Sequence, residues 1–358
     1  MKIIINTPKL TLPAGVANHY LGLRPYFTKD VIYNQYIPIS SLKRFKNKII
    51  ILLVGTFLKL YDVAKFIALI IINSRPTILL NPSFGRTAMA RDALFVNIAK
   101  VFSCKVAVFI HGWDKVFLNK VLNKNSYLSK ALFRVDAFFV LGTEFIGYLR
   151  RLGVNAPIYL TSTKVDDMLI KGVEFKQIDK IETILFLGRI TREKGIFITV
   201  DAFNLLHRDF PYLKLRVVGA GNALEEAKKY AKDKGLKTIV FAGPLFGEAL
   251  KAAYLNADLY ILPTAHGEGL PTSVLEAMAF GLPVITRPVG GLVDFFENDK
   301  MGYLIKSLEP KEFADKIEFL INNIDKANQI SKYDMQYARK HFMASKIAPA
   351  VEKILHNL

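Results

Sequence analysis

Short apolar runs alternate with amphipathic segments through the C-terminal half of the chain, with a period of about 25 residues. The runs have the length of buried strands, and the segments between them place apolar residues at helical spacing. The predicted strands are Thr183–Leu187, Leu215–Val218, Thr238–Ala242, Asp258–Leu262 and Pro283–Thr286. The predicted helices are Ile196–His207, Ala223–Lys234, Gly247–Asn256 and Ser273–Phe280. This alternation predicts a parallel, doubly wound sheet.

Two longer helical patterns follow the last of these strands, Pro310–Asn323 and Ile324–Leu358. We find no further strand signal after residue 286. The second pattern is expected to form one helix that bridges to the N-terminal half.

The N-terminal half shows the same alternation less regularly. Its predicted strands are Lys2–Asn6, Thr77–Leu80, Val106–Ile110, Ala137–Leu141 and Pro157–Leu160. The chain is thus predicted to be α/β, with two Rossmann-like domains at 1–170 and 171–330 and a C-terminal helix at 331–358 that packs back towards the N-terminal domain. Because doubly wound sheets bind ligands beyond the carboxyl ends of their strands, we expect the two domains to face each other across a cleft.

The composition is that of a folded globular protein of 358 residues, long enough for two domains. The single cysteine, Cys104, excludes an intramolecular disulfide, and no Cys/His cluster has metal-ligand spacing. The N-terminus has too short an apolar run for a signal peptide. The apolar stretch Ile49–Ile72 carries Lys59, Asp62 and Lys65 near its centre, which argues against a transmembrane helix. These features predict a cytoplasmic location.

The net charge of +18 is unevenly distributed along the chain. Residues 1–176 hold 25 Lys and Arg against 9 Asp and Glu, whereas residues 177–358 hold 24 against 22. Such asymmetry indicates an anionic partner for the N-terminal half, namely a membrane leaflet, a phosphorylated substrate or nucleic acid. The alternative is a basic surface that serves only solubility. The run Lys43–Lys48 suits either an anionic membrane interface or a solvated helix start.

The sharpest motif runs from Ala265 to Glu276, between a predicted strand and a predicted helix. Glu268 lies between two glycines, in a loop whose backbone can approach a ligand closely. Glu276 is expected in the first turn of the helix, beside N–H groups that attract phosphate, where a carboxylate would suit sugar hydroxyls. Alternatively, Ser273 and Glu276 form a capping box that only closes the helix start.

A second motif, Phe186–Gly195, joins the first strand of the C-terminal domain to its first helix. Gly188 permits a tight exit from the strand, and Arg189 and Lys194 place two cations at the ligand edge of the sheet, where they suit a pyrophosphate. A solvated turn with two ordinary surface cations is the alternative. Gly219, after the next strand, is a weaker signal because strand-to-helix glycines often serve only backbone geometry.

Two features of the N-terminal half lie at predicted carboxyl ends of strands. Gly15 ends a glycine turn, Leu12–Gly15, that could place backbone N–H groups against phosphate or sugar. His111 follows the strand Val106–Ile110, although a histidine there is more often structural.

Together these motifs resemble the donor-binding lobe of the family 4 (group 1) retaining nucleotide-sugar glycosyltransferases of the GT-B fold. The resemblance covers roughly residues 182–305 and rests on the order and spacing of the motifs quoted above, with Gly281-Leu-Pro-Val and Gly290-Gly291 following them. It implies a hexosyltransferase-type enzyme that needs no metal or other cofactor, because cations and a helix terminus neutralise the departing diphosphate.

The resemblance also implies a role for each candidate residue. Arg189, Lys194, Glu268 and His111 would be catalytic; the donor would be bound by Gly15, Gly188, Gly219, Gly269, Leu270, Pro271, Thr272 and Glu276. Glu276 would hold the ribose and Glu268 the transferred sugar. Three departures from the family pattern are present. Leu12–Gly15 has a single glycine, Thr161–Asp166 lacks the asparagine usual before its Val-Asp, and His266 replaces a small residue common in the family.

The predicted reaction is transfer of a sugar from a nucleotide diphosphate to a glycan or lipid-linked acceptor, with retained configuration, in cell-surface polysaccharide or lipid-linked glycan synthesis. The basic N-terminal domain is expected to touch an anionic membrane peripherally at its inner face. A sugar-nucleotide epimerase or phosphorylase of the same fold is the first alternative. A basic nucleic-acid-binding protein is the second, although no recognition motif for nucleic acid is present.

Overall fold

The computed structural model describes residues 1–12, 15–37, 48–82, 86–112, 131, 133–265 and 267–358. Residues 43–47 of the basic run, Pro13 and Ala14 of the first glycine turn, and His266 lie outside the described residues. The chain forms two compact units, unit 1 with Met1–Thr163 and Ala344–Leu358, and unit 2 with Lys164–Met343.

The unit boundary differs from the one placed from the sequence between residues 170 and 171. Val165 donates its N–H to the carbonyl of Phe342 over 2.7 Å, and Val165 forms an isolated parallel bridge with Met343. The chain therefore leaves unit 1 and returns to it through two adjacent, paired segments.

Twelve strands lie within the described residues. They are β1 Ile3–Pro8, β2 Val31–Tyr36, β3 Thr77–Leu80, β4 Val106–Ile110, β5 Ala137–Val140, β6 Ile158–Leu160, β7 Thr183–Leu187, β8 Lys214–Val218, β9 Ile239–Gly243, β10 Leu259–Leu262, β11 Val284–Thr286 and β12 Gly302–Leu304. Unit 1 orders its six parallel strands β2-β1-β3-β4-β5-β6, and unit 2 orders its six β12-β11-β10-β7-β8-β9.

The α-helices of the same residues flank these sheets. They are α1 Gly15–Leu23, α2 Lys48–Ile72, α3 Arg86–Val101, α4 Thr143–Arg151, α5 Ile196–His207, α6 Leu224–Asp233, α7 Gly247–Leu255, α8 Thr272–Ala279, α9 Pro310–Asn322, α10 Ile324–His341 and α11 Ala344–His356. Within the ranges that the structure describes, no helix is long and apolar enough to cross a membrane.

The predicted α/β class and both Rossmann-like sheets are confirmed. The central strands β1, β3, β4, β5 and β10 are buried along their whole length, which is why they read as continuous apolar runs in the sequence. Two edge strands were not predicted, β2 and β12. Strand β2 contains the polar pair Asn34 and Gln35, and β12 has only three residues.

The expectation of one helix over Ile324–Leu358 is wrong. The helix breaks at Phe342 and Met343, which separate α10 from α11. In α10, the Ser331 hydroxyl donates to the carbonyl of Gly281 in unit 2. In α11, the buried Glu352 carboxylate accepts a hydrogen bond of 3.0 Å from the Thr28 amide and another from its hydroxyl, within unit 1. The two halves of the pattern therefore belong to different units.

Two glycines after β8 let the loops at the carboxyl ends of β7 and β8 touch. Gly219 has φ +139°, and a Cβ there would lie 1.9 Å from the carbonyl oxygen of Gly188. A Cβ on Gly221 would lie 2.0 Å from the carbonyl oxygen of Ile190. Any larger residue at either position would push these two loops apart.

We predict that Gly221→Ala lowers the free energy of unfolding of unit 2 by more than about 2 kcal/mol, because its methyl group would overlap backbone that cannot rotate away. Gly147→Ala is the matched control, since Gly147 lies inside α4 and a Cβ there would meet nothing within 4 Å. That control should stabilise its helix by about 0.5–1 kcal/mol. Calorimetric unfolding of both variants measures the difference, and equal midpoints would contradict the proposed close contact.

Candidate functional site

The candidate residues of unit 2 lie at the centre of its sheet, where the strand order reverses. Strand β7 pairs with β8 on one side and with β10 on the other, so the connections leave β7 and β10 in opposite directions. Ligands of doubly wound sheets bind at this point, outside the carboxyl ends of the strands. Arg189 and Lys194 follow β7, and Glu268 follows β10.

The loops after β7 and β10 are joined by direct backbone contacts. The Ala265 amide donates to the carbonyl of Glu193 over 2.7 Å. Gly195 has φ +83°, and a Cβ there would lie 2.3 Å from the carbonyl oxygen of Pro263. These contacts hold the 3-10 turn Arg192–Lys194 against the loop that carries Glu268.

The Glu268 loop is also fixed from its other side. The Gly291 amide donates to the carbonyl of Gly269 over 2.7 Å, and a Cβ on Gly290 would lie 2.0 Å from the same oxygen. Close packing against the backbone of Gly269 therefore accounts for the Gly290-Gly291 pair. It supports the segment in which the acid is placed.

As a result, Lys194 and Glu268 form an ion pair at the edge of the sheet. Their side chains are only 11% and 14% exposed, respectively, so the pair is largely shielded from solvent. Burial, and after it the positive charge of nearby Arg189, lower the pKa of Lys194 to about 8. The Glu268 carboxylate acts in the opposite direction and favours the charged amine. Arg189 itself is exposed.

Glu276 is the fifth residue of α8, so it lies one residue beyond the first turn in which the sequence placed it. Its side chain is buried, and its Oε2 accepts a hydrogen bond of 2.8 Å from the Tyr254 hydroxyl. Burial raises the pKa of the Glu276 carboxyl, while the charge of Lys164 and the Tyr254 hydrogen bond oppose that shift.

The capping-box alternative for Glu276 is excluded by the helix start. Helix α8 begins after Pro271, and among the described residues no side chain hydrogen-bonds to its N-terminus as a cap. Ser273 is the second residue of the helix, and its Oγ lies 2.7 Å from the Tyr260 hydroxyl. Glu276 is thus a buried carboxylate with one hydroxyl partner and no capping role.

The segment Gly269–Thr272 leads into this helix start. Gly269, Leu270 and Pro271 are buried and Thr272 is half-buried, so the segment offers backbone more than side chains to any ligand. Gly188 is half-buried at the end of β7, directly beneath the contact with Gly219. Packing requires glycine at Gly219, whereas a Cβ on Gly188 would make an ordinary contact, 3.7 Å from Leu262 Cδ1. The contact of either glycine with a donor stays a prediction.

The candidates of unit 1 are His111 and Gly15. Gly15 is the exposed first residue of α1, and a Cβ there would meet nothing within 4 Å, so packing does not require glycine at this position. His111 follows β4, and its ring stacks on Phe109 with centroids 4.0 Å apart. Burial lowers the pKa of His111 to about 3, so the imidazole is neutral at physiological pH.

The tautomer of His111 follows from its neighbours. The Asn81 amide nitrogen donates to the carbonyl of Asn6 over 2.9 Å, which identifies Asn81 Oδ1 as an acceptor. This oxygen lies 2.8 Å from His111 Nε2 and accepts the Tyr20 hydroxyl over 2.7 Å. Nε2 therefore carries the proton, and Nδ1 keeps its lone pair.

Sequence reasoning missed the residues that orient the candidates. Asn81 fixes the His111 ring, Tyr254 holds Glu276, and Lys164 lies close enough to affect its pKa. Asn81 directly follows β3, so its place at a strand's carboxyl end was a usable signal. Tyr254 lies 22 residues before Glu276, on another helix, and no local sequence pattern indicates their contact.

The described part of the chain contains no group of three or more His, Cys, Asp or Glu side chains placed to hold a metal ion. The candidate charged groups that follow β7 and β10 are Arg189, Lys194, Glu268 and Glu276, and Lys164 lies close enough to act on Glu276. This set can neutralise an anionic group and accept hydrogen bonds from hydroxyls.

Parts of this chain are similar to known glycosyltransferases. Residues 173–337 match the family model of the glycosyl transferases group 1. The capsular polysaccharide biosynthesis glycosyltransferase CapM of Staphylococcus aureus is 25% identical over 225 residues, which cover 61% of this chain and 54% of that protein. A D-inositol 3-phosphate glycosyltransferase of Corynebacterium urealyticum is 30% identical over 168 residues, covering 45% of this chain and 39% of that protein. The chain thus spans about half the length, or less, of these curated relatives.

One similar solved structure covers both chains completely. It is the Anabaena protein Alr3699/HepE in complex with UDP and glucose, with a TM-score of 0.74 and 17% sequence identity. At this identity the likeness shows the fold, which is the GT-B fold expected from the sequence. The family match covers nearly the whole of unit 2, since residues 173–337 match the model of the glycosyl transferases group 1 family.

Proposed function

We propose that the protein is a retaining glycosyltransferase that moves a sugar from a nucleotide diphosphate donor to an acceptor without a metal ion. The observation that carries this proposal is the shielded Lys194–Glu268 pair, with Arg189 nearby, at the switch point of a sheet of the group 1 family. Breaking the bond to a nucleoside diphosphate leaves negative charge on the departing phosphate, and cations fixed in a shielded site stabilise that charge.

In the proposed reaction Lys194 exchanges partners. Its ammonium faces the Glu268 carboxylate, so the cation is held in place and partly desolvated. Donor phosphate would take over this ammonium, together with Arg189 and the backbone N–H groups at the start of α8. Glu268 would then accept hydrogen bonds from hydroxyls of the transferred sugar.

Glu276 is proposed to hold the ribose of the donor. Its burial and the hydrogen bond from Tyr254 fix the carboxylate, and a carboxylate accepts two hydroxyl groups at short distance. The two adjacent hydroxyl groups of a ribose can therefore both donate hydrogen bonds to this carboxylate. Burial raises the pKa of Glu276, so donor binding should be strongest where the carboxylate is ionised.

His111 is proposed to act as a neutral hydrogen-bonding group beside the reacting sugar carbon. Its lowered pKa makes it a poor proton donor at neutral pH, so we assign it no general-acid step. Exclusion of water during transfer prevents hydrolysis of the donor.

The acceptor is proposed to be a glycan or a lipid-linked sugar of cell-surface polysaccharide synthesis. CapM of Staphylococcus aureus is named for capsular polysaccharide biosynthesis. Unit 1 holds 24 of the 49 Lys and Arg but only 7 of the 31 Asp and Glu, a net charge of +17, which favours an anionic acceptor or the anionic leaflet of a membrane at the cytoplasmic side. The family match disfavours an epimerase, a phosphorylase or a nucleic-acid-binding protein.

We predict that Glu276→Gln weakens donor binding by about 10- to 100-fold, because a hydrogen bond to a charged acceptor contributes about 1.5–3 kcal/mol. Thermal-shift titration with UDP, GDP and ADP, with and without EDTA, identifies the nucleotide and measures its affinity. The matched control is Glu248→Gln, an exposed acid at the start of α7. A midpoint shift that is the same in Glu276→Gln and in the unsubstituted protein would contradict the ribose assignment.

We predict that kcat/KM for the donor falls as the pH rises above about 8, because Lys194 then loses its proton in the free enzyme. Lys194→Arg should remove this descending limb, since a guanidinium stays charged across the range. Lys194→Ala should lower transfer by about 100-fold or more below pH 8, where the ammonium is charged, and by less at the alkaline end of the range. Initial rates of sugar transfer between pH 6 and pH 9.5 measure all three, and a limb that persists in Lys194→Arg would assign the titration to another group.

We predict that Asn81→Asp raises the pKa of His111, because a carboxylate would replace the neutral oxygen beside Nε2 and favour the imidazolium. Titration of the histidine Cε1–H signals by NMR measures the shift, with His207 and His341 of unit 2 as internal references. An unchanged His111 titration in a folded variant would contradict the hydrogen bond on which the tautomer rests.

A further inference from the structure

The outward face of α2 in unit 1 is an uninterrupted apolar surface. Its large exposed side chains, with their exposed fractions, are Leu53 65%, Phe57 68%, Leu60 67%, Tyr61 56%, Ile71 61% and Ile72 75%. Ala64 and Ala68 are exposed between them. At 100° per residue these positions fall on one side of the helix, over a length of about 28 Å. We call this surface the α2 apolar face.

The charged residues of the helix lie away from the α2 apolar face. Lys65 points towards the sheet, where its ammonium donates to the carbonyl of Gln35 over 3.1 Å. Asp62 is half-buried, and the charge of Arg91 acts on it from α3. Lys59 is exposed, and at 100° per residue it lies about 160° from the centre of the α2 apolar face.

The opposite side of α2 already anchors the helix in unit 1. Phe66 and Ile70 are buried, and the Phe66 ring stacks on Phe95 of α3 with centroids 4.5 Å apart. The fold therefore does not need the α2 apolar face. Apolar surface of this extent on a protein exterior marks an interaction site.

The α2 apolar face continues at the C-terminal ends of α2 and α3. Ile70, Ile71, Arg75, Val101 and Phe102 line a shallow depression there, and Val101 is 81% exposed. Arg75 is exposed beside it and, with Lys100, lies close enough to lower the pKa of the nearby Cys104 thiol against the effect of burial. Cations therefore border the apolar surface at this end.

We propose that the α2 apolar face inserts into an anionic lipid leaflet, with the helix lying in the plane of the interface. A helix that exposes one apolar side on a cationic unit is the form that binds at the boundary of headgroups and acyl chains. The net charge of unit 1, +17 against +1 for unit 2, favours a surface of opposite sign. The same charge argues against a second copy as occupant, because pairing two such faces would bring two strongly cationic units together.

This proposal shares the net charge of unit 1 with the proposed function, but it rests on the exposed apolar surface of α2, which the proposed reaction does not use. Sugar transfer to a soluble acceptor can fail while lipid binding persists, and the reverse also holds. Lipid binding alone therefore tests it.

The test compares the complete protein with the triple variant Leu53→Ser, Phe57→Ser, Leu60→Ser. Flotation uses vesicles of phosphatidylcholine alone and of phosphatidylcholine with 30% phosphatidylglycerol, each in 0.05 M and 0.5 M NaCl. We expect the unsubstituted protein to bind the anionic vesicles, and the triple variant to bind them at least about 10-fold more weakly. A matched control, Leu205→Ser, Val240→Ser, Phe246→Ser, removes equally exposed apolar side chains from unit 2 and should bind within about 2-fold of the unsubstituted protein.

Folding and insertion are monitored separately. Because the substituted side chains are exposed, both triple variants should keep their thermal midpoint within a few degrees. After subtraction of the emission of the unsubstituted protein, which contains Trp113, Phe57→Trp should show a blue-shifted emission, quenched by brominated lipid, only with anionic vesicles. Equal vesicle binding by the unsubstituted protein and the α2 triple variant would overturn the proposal, as would no binding by either. A lipid-free dimer that the triple variant dissociates, without vesicle binding, would overturn it in favour of an interface between copies.

Discussion

Direct backbone contact between loops at the carboxyl edge of the unit 2 sheet is the constraint on which the candidate site depends. Four glycines make it possible. Gly219 and Gly221 let the loop after β8 contact the loop after β7, and Gly195 lets the loop after β7 contact the loop after β10. Gly290 lets the 3-10 turn Gly290–Asp294 contact Gly269. Side chains at any of these positions would overlap backbone oxygens. The placement of Lys194 against Glu268 is a consequence of this stack of loops.

The same constraint explains how the site can hold charge without a bound partner. A lone buried ammonium or carboxylate would be costly, and each would move its pKa towards the neutral form. Pairing Lys194 with Glu268 limits that cost while both remain near the surface. Among the described residues, Glu276 has a hydrogen bond from the Tyr254 hydroxyl and is acted on by the charge of Lys164, and burial raises its pKa against both. In the proposed reaction, donor phosphate takes Lys194 away from Glu268, and Glu276 binds the ribose of the donor.

The predictability of the fold differs between the centre and the edges of each sheet. The central strands were predicted to within two residues because parallel strands buried on both faces are continuous apolar runs. Strand β2 was missed because its buried Asn34 looks like a loop residue; its amide donates to Asn6 of β1 over 2.9 Å, and that partner is invisible in the local sequence. The break between α10 and α11 was missed because the apolar pattern runs on through Phe342 and Met343, which lie where the chain passes between units.

The candidate site shows the same division between local and non-local information. Motif order located the loops that carry Arg189, Lys194, Glu268 and Glu276, since each loop directly follows a recognisable strand. The residues that contact these candidates could not be predicted from motif order. Glu268 lies 74 residues from Lys194, and Asn81 lies 30 residues from His111, so each contact depends on strand order and register in the folded sheet. The tautomer of His111 and the exclusion of a capping role for Glu276 are therefore results that only the three-dimensional arrangement provides.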